Sequence, residues 1–90
     1  MHYAAFYDKK EMVEILIENG ANVNATSNDL RIPLHRALVS TSYECILQLI
    51  QHGALMTAKD KDRLTPIEMS LMKHMIDPFK TMNFFTHLSN

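Results

Sequence analysis

The chain contains few of the residues that mark several large classes of protein. Its 90 residues include one cysteine, two glycines and no tryptophan. The single cysteine, Cys45, rules out an internal disulfide framework and favours a reducing compartment. Two glycines leave little material for a glycine-rich loop that cradles a phosphate group. We therefore expect neither a disulfide-stapled domain nor a phosphate-loop enzyme.

The chain also lacks an excess of either charge and lacks long apolar runs. Nine Lys and Arg residues against ten Asp and Glu residues give a formal net charge of −1, so no basic surface for nucleic acid or membrane is predicted. No apolar run approaches the roughly 18 residues that span a bilayer. The seven residues before Asp8 are too few for the core of a signal peptide. We expect a cytoplasmic or nuclear protein that binds neither nucleic acid nor membrane.

Motifs for catalysis and for metal binding are missing as well. His52, His74 and His87 show no metal-ligand spacing with a nearby cysteine. Cys45 stands on the apolar face of a predicted helix, where a buried and unreactive thiol is expected because no base or positive neighbour activates it. No nucleophile motif of the Gly-x-Ser-x-Gly kind occurs. We expect no enzyme activity, no cofactor and no metal site.

What the chain does have is an internal repeat with a period of 33 residues. This step carries Pro33 onto Pro66 and Gly20 onto Gly53, without any insertion between residues 2 and 65. Chance matches would scatter over many offsets, whereas these fall on one. A period in this range indicates a solenoid, in which each unit buries its apolar face against its neighbours.

The repeated residues resemble a known family. Residues 32–37, Ile-Pro-Leu-His-Arg-Ala, resemble the Thr-Pro-Leu-His-x-Ala signature of ankyrin repeats, and residues 65–67, Thr-Pro-Ile, are a second copy. Residues 13–24 resemble the second helix and exit loop of that repeat. The resemblance covers essentially the whole chain, most strongly residues 2–72. It implies an all-α ankyrin-repeat solenoid of about two and a half 33-residue repeats, each a helix–loop–helix unit with a projecting β-turn.

The register divides the single predicted domain, residues 1–90, into three units. Repeat 1 covers residues 1–27 and lacks its leading turn, repeat 2 covers residues 28–60, and repeat 3 covers residues 61–90. Repeat 3 is degenerate, which is typical of a capping repeat and equally of drift in a truncated array. Its second helix is predicted to start anew at Asp77-Pro78, and its apolar positions are Phe79, Met82 and Phe85.

The helix ends carry predicted caps. Pro33 and Pro66 fit the first position of a helix, and Gly20 and Gly53 supply the left-handed conformation that often ends one. Capping boxes are predicted at residues 8–11, 41–44 and 65–68. The helix that starts at Tyr43 is predicted to bury Cys45, Ile46, Leu49 and Ile50.

The family resemblance also implies structural roles for two histidines and for the turns. His2 and His35 occupy the place of a buried histidine that hydrogen bonds the turn to the helix, and Glu68 takes that place in repeat 3. Leu30 and Arg63 stand at turn tips where the family usually has glycine. Because a tip needs a residue that tolerates positive φ, we predict a distorted or more mobile turn.

Residues that the shared core does not fix line up across the repeats into a predicted binding surface. The concave strip, on the first helices, consists of Tyr3, Phe6, Tyr7, Arg36, Val39, Ser40, Met69, Met72 and Lys73. The turn tips are Asn28, Asp29, Arg31, Lys61, Asp62 and Leu64. Aromatic and methionine side chains beside an arginine have the composition of an interaction hot spot.

Parts of this surface have an alternative interpretation. Phe6 and Tyr7 lie near the open N-terminal end and would equally cover the place of a missing repeat. The clustered methionines fit flexible core filling as well as an adaptable binding surface, for which Met72 is the best candidate. This cluster consists of Met56, Met69, Met72, Met75 and Met82.

The resemblance implies a protein–protein interaction module that binds a partner protein of unknown identity through the concave strip and the turn tips. One alternative is a self-associating structural unit, with Phe6 and Tyr7 exposed at one end and Phe84, Phe85 and Leu88 at the other. Another is a regulatory ankyrin fragment of a larger enzyme, channel or ubiquitin-ligase receptor. The fold gives the mode of recognition and does not name the partner.

Overall fold

The computed structural model describes residues 1–76, and these residues form five α-helices without any β-strand among them. The helices are α1 (His2–Phe6), α2 (Lys10–Glu18), α3 (Pro33–Val39), α4 (Tyr43–Gln51) and α5 (Pro66–Ile76). The all-α prediction is therefore confirmed. The predicted second helix of repeat 3, with Asp77, Phe79, Met82 and Phe85, lies outside the described residues. No helix within residues 1–76 has the length and apolar character needed to cross a membrane.

The helices pack in two rows. The first helices of the repeats form one row, in which α3 lies between α1 and α5 and contacts both. The second helices α2 and α4 form the other row, and each also contacts the first helix of its own repeat. The same interface between neighbouring first helices is thus used twice along the chain, as a 33-residue period requires.

Small and apolar side chains explain the close packing of these rows. Ala4 and Ala37 are fully buried on α1 and α3, where a side chain of one carbon lets neighbouring helices approach. Leu34 and Leu49 are also fully buried, and each contributes about 2–3 kcal/mol through removal of its side chain from water. The core lies between the two rows and continues from repeat 1 into repeat 2.

The buried face of α4 differs in part from the predicted one. Cys45 and Leu49 are fully buried, as predicted, and Ile46 is half-buried. Ile50 is exposed, and Gln48 is buried instead. Because Gln48 and Ile50 lie on opposite sides of the helix, α4 turns one flank towards α2 and leaves the other more open.

Two of the three predicted capping boxes are wrong. Asp8 and Thr41 adopt positive φ, 56° and 54°, and neither side chain caps its own helix. The connections between the first and second helices span only three residues, so the chain reverses through a left-handed residue and directs that side chain away from the helix. The third box is confirmed: Glu68 accepts the Thr65 N–H at 3.0 Å, and the Thr65 hydroxyl accepts the Glu68 N–H at 3.3 Å.

The Asp8 carboxylate instead caps the second helix of the next repeat. Its Oδ1 atom accepts the backbone N–H of Cys45, the third residue of α4, at 3.1 Å. A carboxylate at a helix N-terminus satisfies an otherwise unpaired donor and interacts favourably with the helix dipole. In the same region, the Ser42 hydroxyl donates to the Phe6 carbonyl at 2.9 Å. Polar side chains at these connections therefore join repeat 1 to repeat 2.

Both turns form without glycine at the tip. Leu30 and Arg63 adopt left-handed φ of 61° and 64°. The Leu30 N–H donates to the Ser27 carbonyl, and the Arg63 N–H donates to the Asp60 carbonyl, each at 2.9 Å. The lack of glycine therefore does not prevent either turn from closing with a hydrogen bond, and the predicted distortion or greater mobility stays a prediction. Leu30 and Arg63 therefore carry the conformational strain that a left-handed φ imposes on a residue with a Cβ.

Candidate functional site

The two histidines of the repeat signature are engaged with the backbone of the following turn. His35 is fully buried; its Nδ1 atom accepts the Ile32 N–H at 3.1 Å, so Nε2 carries the proton and donates to the Leu64 carbonyl at 3.0 Å. His2 bonds through Nε2 to the Arg31 carbonyl at 2.7 Å. Each ring thereby ties a first helix to the turn 29 residues further along the chain. These imidazoles position the turns and leave no ring nitrogen of His35 for a ligand.

The second turn is built around the buried carboxylate of Asp60, which is 3% exposed. Its Oδ1 atom accepts the N–H groups of Asp62 and Leu64, each at 2.9 Å, and its Oδ2 atom accepts from Arg31 Nε at 3.4 Å. Burial by itself raises the pKa of Asp60, but the two N–H donors and the Arg31 guanidinium outweigh it and hold the pKa below its usual value of 3.8. Asp60 is not among the site residues predicted from the sequence.

A chain of ion pairs joins this turn to the preceding one. Arg31 Nη1 lies 3.6 Å from Asp29 Oδ2, and Lys61 Nζ lies 3.2 Å from Asp29 Oδ1. The Lys61 backbone N–H also donates to the Asp29 carbonyl at 2.9 Å. Three of the turn tips, Asp29, Arg31 and Lys61, therefore have internal charge partners. Asn28 and Asp62 are exposed, and Leu64 is half-buried.

The structure brings most of the concave strip to the surface of the first-helix row. Tyr3 is 66% exposed, Tyr7 55% and Met72 46%. Lys73 is also exposed, while Phe6, Arg36 and Met69 are half-buried. Large apolar side chains are thus accessible on α1, beside its end and on α5, the two outer members of the row.

Two members of the concave strip offer little to a partner. Val39 is only 7% exposed, so its predicted place on the accessible surface is wrong. It belongs to α3, which α1 and α5 cover from both sides. The Ser40 hydroxyl is occupied by the Arg36 carbonyl at 3.0 Å and by the Ser42 hydroxyl at 2.7 Å.

A pocket of about 320 Å³ lies at the N-terminal end of the concave strip. Its walls are His2, Tyr3, Phe6 and Tyr7 of repeat 1 and Arg36 of repeat 2. The Tyr3 and Tyr7 ring centroids are 4.6 Å apart, and the Phe6 and Tyr7 rings meet edge to face at 4.9 Å. Phe6 and Tyr7 therefore line a recess that repeat 2 completes.

A second groove lies between α2 and α4 and was not anticipated. Lys10 and Glu14 line it on one side and Leu47 and Gln48 on the other. The buried Oε1 atom of Gln48 has no hydrogen-bond partner within the described residues. One feature of the sequence indicates this groove: Gln48 lies 33 residues after Ile15 and is therefore a polar residue at an apolar position of the repeat.

The Cys45 thiol is in an environment that suppresses its reactivity. Burial, together with the hydrogen bond and the negative charge of Asp8, raises its pKa to about 11. The thiol therefore stays protonated near neutral pH, whereas the thiolate is the nucleophile. Within residues 1–76, no three His, Cys, Asp or Glu side chains are grouped so that they could hold a metal ion.

Comparison with known proteins gives consistent matches. A family model described as ankyrin repeats (3 copies) matches residues 1–60. The chain is 33% identical over 76 residues to the ankyrin repeat protein FPV031 of fowlpox virus (strain NVSL), a match that covers 79% of the chain and 22% of the relative. It is 37% identical over 73 residues to Rabankyrin-5 of Mus musculus, which covers 79% of the chain and 6% of the relative.

A further relative is a channel subunit. The chain is 33% identical over 60 residues to transient receptor potential cation channel subfamily A member 1 of Homo sapiens, covering 67% of the chain and 5% of the relative. The chain thus spans less than a quarter of the length of each of these relatives.

Proposed function

Because the chain belongs to the ankyrin-repeat family, we propose that it binds a partner protein through its concave strip and its turn tips. Ankyrin repeats are generally protein-interaction modules and are typically non-catalytic. The chain supplies the scaffold of such a module, with first helices side by side and turns braced by His2, His35 and Asp60.

The observation that carries the proposal is the set of large apolar side chains left accessible on the first-helix row. Tyr3, Tyr7 and Met72 are roughly half or more exposed, although none is needed to cover the core of residues 1–76. Aromatic residues, methionine and arginine are the types enriched at protein interfaces. With Arg36 between them, these side chains offer the centre of a binding site and leave the polar turn tips as its rim.

A pull-down from cell lysate with two matched double variants tests this function. The test variant carries Tyr3→Glu and Met72→Glu, on the first-helix row. The control variant carries Tyr43→Glu and Leu47→Glu, at similarly exposed apolar positions on α4. Both add two negative charges and remove two exposed apolar side chains, so they differ in the face that is changed.

We expect wild type and the control variant to retain a common set of proteins that the test variant loses. Circular dichroism must show that both variants keep the wild-type helix content and thermal midpoint. Retention by the test variant with loss by the control variant would contradict the proposal and assign binding to the second-helix row.

A second candidate function, self-association, is favoured by the side of α2 that faces away from repeat 2. Met12 and Ile15 are exposed there, and the 33-residue period equates them with Cys45 and Gln48, which are buried against repeat 1. These apolar side chains therefore fit the surface of a further repeat, from a second copy of the chain or from a longer one. Of the residues predicted for self-association, Phe6 and Tyr7 line the pocket described above, and Phe84, Phe85 and Leu88 lie outside the described residues.

Sedimentation equilibrium over a hundredfold concentration range tests self-association. A mass that rises with concentration in wild type and stays at one chain in Met12→Glu/Ile15→Glu would support it. A constant mass of one chain for wild type would exclude it.

Because ankyrin relatives include a cation channel of which the chain spans 5%, a regulatory segment within a larger protein is the third candidate.

A further inference from the structure

Arg36 differs from Arg31 and Lys61 of the turn tips in having no charge partner within residues 1–76. Arg31 is paired with Asp29 and Asp60, and Lys61 is paired with Asp29. Arg36 is half-buried and forms no ion pair with any residue of the described part of the chain, 1–76. A half-buried guanidinium is less screened than a fully exposed one and offers a planar fork of donors to a carboxylate.

The walls beside Arg36 are apolar and already assembled. The rings of Tyr3, Phe6 and Tyr7 contact one another at centroid distances of 4.6 and 4.9 Å. Rings with two side-chain torsions that already pack together lose little further freedom when a ligand covers them. The pocket can therefore bury a large apolar side chain while a neighbouring group of the same ligand reaches Arg36.

The charges around the pocket favour an acidic ligand. On the first-helix row, the charged members of the concave strip are Arg36 and Lys73, and both are positive. The Glu68 carboxylate on α5 is engaged with the Thr65 N–H, and Asp29 is engaged with two cations at the turns. A partner with basic residues at this place would meet like charge, which disfavours binding.

We propose that this pocket binds a segment of a partner protein in which an Asp or Glu carboxylate lies close to an aromatic or large aliphatic side chain. The carboxylate pairs with the Arg36 guanidinium, and the apolar side chain packs on the rings of Tyr3, Phe6 and Tyr7. The inference rests on the proposed function, since it names the chemistry that the N-terminal part of the concave strip recognises.

A random dodecapeptide display library selected against the purified chain is the test. We expect enriched peptides to contain Asp or Glu within about three positions of a large apolar residue. The affinity of such synthetic peptides, measured by fluorescence polarisation, should fall at least about tenfold in Arg36→Gln. A hydrogen bond to a charged group contributes a binding free energy that corresponds to about this change in affinity. Arg36→Glu should reverse the preference towards Lys and Arg in the peptide.

Lys10→Gln is the matched control, since it removes one positive charge from an exposed position on α2, outside both the pocket and the concave strip. It should change the affinity less than twofold. Tyr3→Ser should weaken the selected peptides as strongly as Arg36→Gln. The thermal midpoint of each variant shows that it is folded.

The outcomes separate this inference from the proposed function. Peptides that lose affinity in Tyr3→Ser but bind Arg36→Gln like wild type would overturn the acidic preference and leave the proposed function standing. Peptides that bind both variants unchanged and lose affinity in Tyr43→Glu/Leu47→Glu would overturn both. A selection that enriches no acidic peptide would also overturn the inference.

Discussion

Asp60 shows how one buried side chain organises the binding surface. Its carboxylate accepts two backbone N–H groups within the second turn and the Arg31 guanidinium from the first. Two neighbouring turns are therefore fixed relative to each other by a residue that no partner would touch. Among the turn tips, this carboxylate directly holds Arg31, Asp62 and Leu64.

The depressed pKa of Asp60 gives the stability a defined pH dependence. As the pH falls, this carboxylate is protonated in the unfolded chain near its usual pKa of 3.8, and in the folded chain only at a lower pH. The ionised Asp60 therefore contributes fully to the free energy of unfolding above pH 3.8, and this contribution is lost as the pH falls through the lower folded pKa. We expect Asp60→Asn to lower the free energy of unfolding by about 1–3 kcal/mol at pH 7.

Urea unfolding of both proteins between pH 7 and pH 2 measures this effect. The difference between wild type and Asp60→Asn should shrink below about pH 4, where the carboxylate is protonated. Glu68, whose pKa is also lowered by the Thr65 hydrogen bonds, is common to both proteins and cancels in the difference. A difference that stayed constant down to pH 2 would rule out ionisation of Asp60 as the cause.

Leu30 is a residue in a conformation that suits glycine. Its φ is 61°, its side chain is exposed, and a left-handed conformation costs a residue with a Cβ about 1–2 kcal/mol. Leu30→Gly removes that cost but loses about 0.5–1 kcal/mol of chain entropy, so we expect a gain of about 0.5–1 kcal/mol. The measurement is the urea midpoint, and Leu30→Ala, which keeps the Cβ, should show no gain.

The helix caps show that a local sequence pattern does not always predict which helix a side chain caps. Thr65 and Glu68 form the predicted capping box, because both partners lie within the same turn. Asp8 matches the same kind of pattern but caps a helix 37 residues away. The three-residue connection forces Asp8 to positive φ, and only the position of the next repeat decides where its carboxylate points.

At the scale of the element, substitutions on α4 test which flank of a second helix is buried. Leu49 is fully buried whereas Ile50 is exposed, although the sequence predicted burial for both. We expect Leu49→Ala to lower the free energy of unfolding by about 2–5 kcal/mol, since it removes packed side-chain atoms from the core. Ile50→Ala should cost about 1 kcal/mol, because its side chain is already partly in water.

Thermal and urea unfolding of the two variants provide the comparison. They delete similar side-chain volumes from adjacent positions of one helix, so changes in helix propensity are nearly shared. Equal losses of stability would contradict the assigned orientation of α4.

Also at this scale, the repeat period predicted the helices better than it predicted their exposed faces. Periodicity locates α3 and α5 because Pro33 and Pro66 start both in the same register. It assigned Val39 and Met72 the same accessible place, yet Val39 is buried and Met72 is exposed. The difference arises because α3 has a first-helix neighbour on each side, a property of the stack that identical positions in a repeat do not encode.

At the scale of the whole molecule, the first-helix row joins parts of the site that are far apart in sequence. The pocket needs Tyr3 and Tyr7 from repeat 1 and Arg36 from repeat 2, which the 33-residue step brings onto neighbouring helices. The sequence predicted these residues as one strip. It did not predict that Arg31 and Lys61 are paired while Arg36 has no ion pair within residues 1–76, because these pairings depend on how successive turns stack.

The proposed function assigns partner binding to the first-helix row and not to the second-helix row. Site-specific photo-crosslinking tests it most directly, with p-benzoyl-phenylalanine in place of Tyr3 in one protein and in place of Tyr43 in another. Both positions are exposed aromatic residues, so the substitution perturbs them equally little. Irradiation in cell lysate should give a discrete adduct from position 3 and none from position 43. An adduct from position 43 alone would contradict binding through the first-helix row.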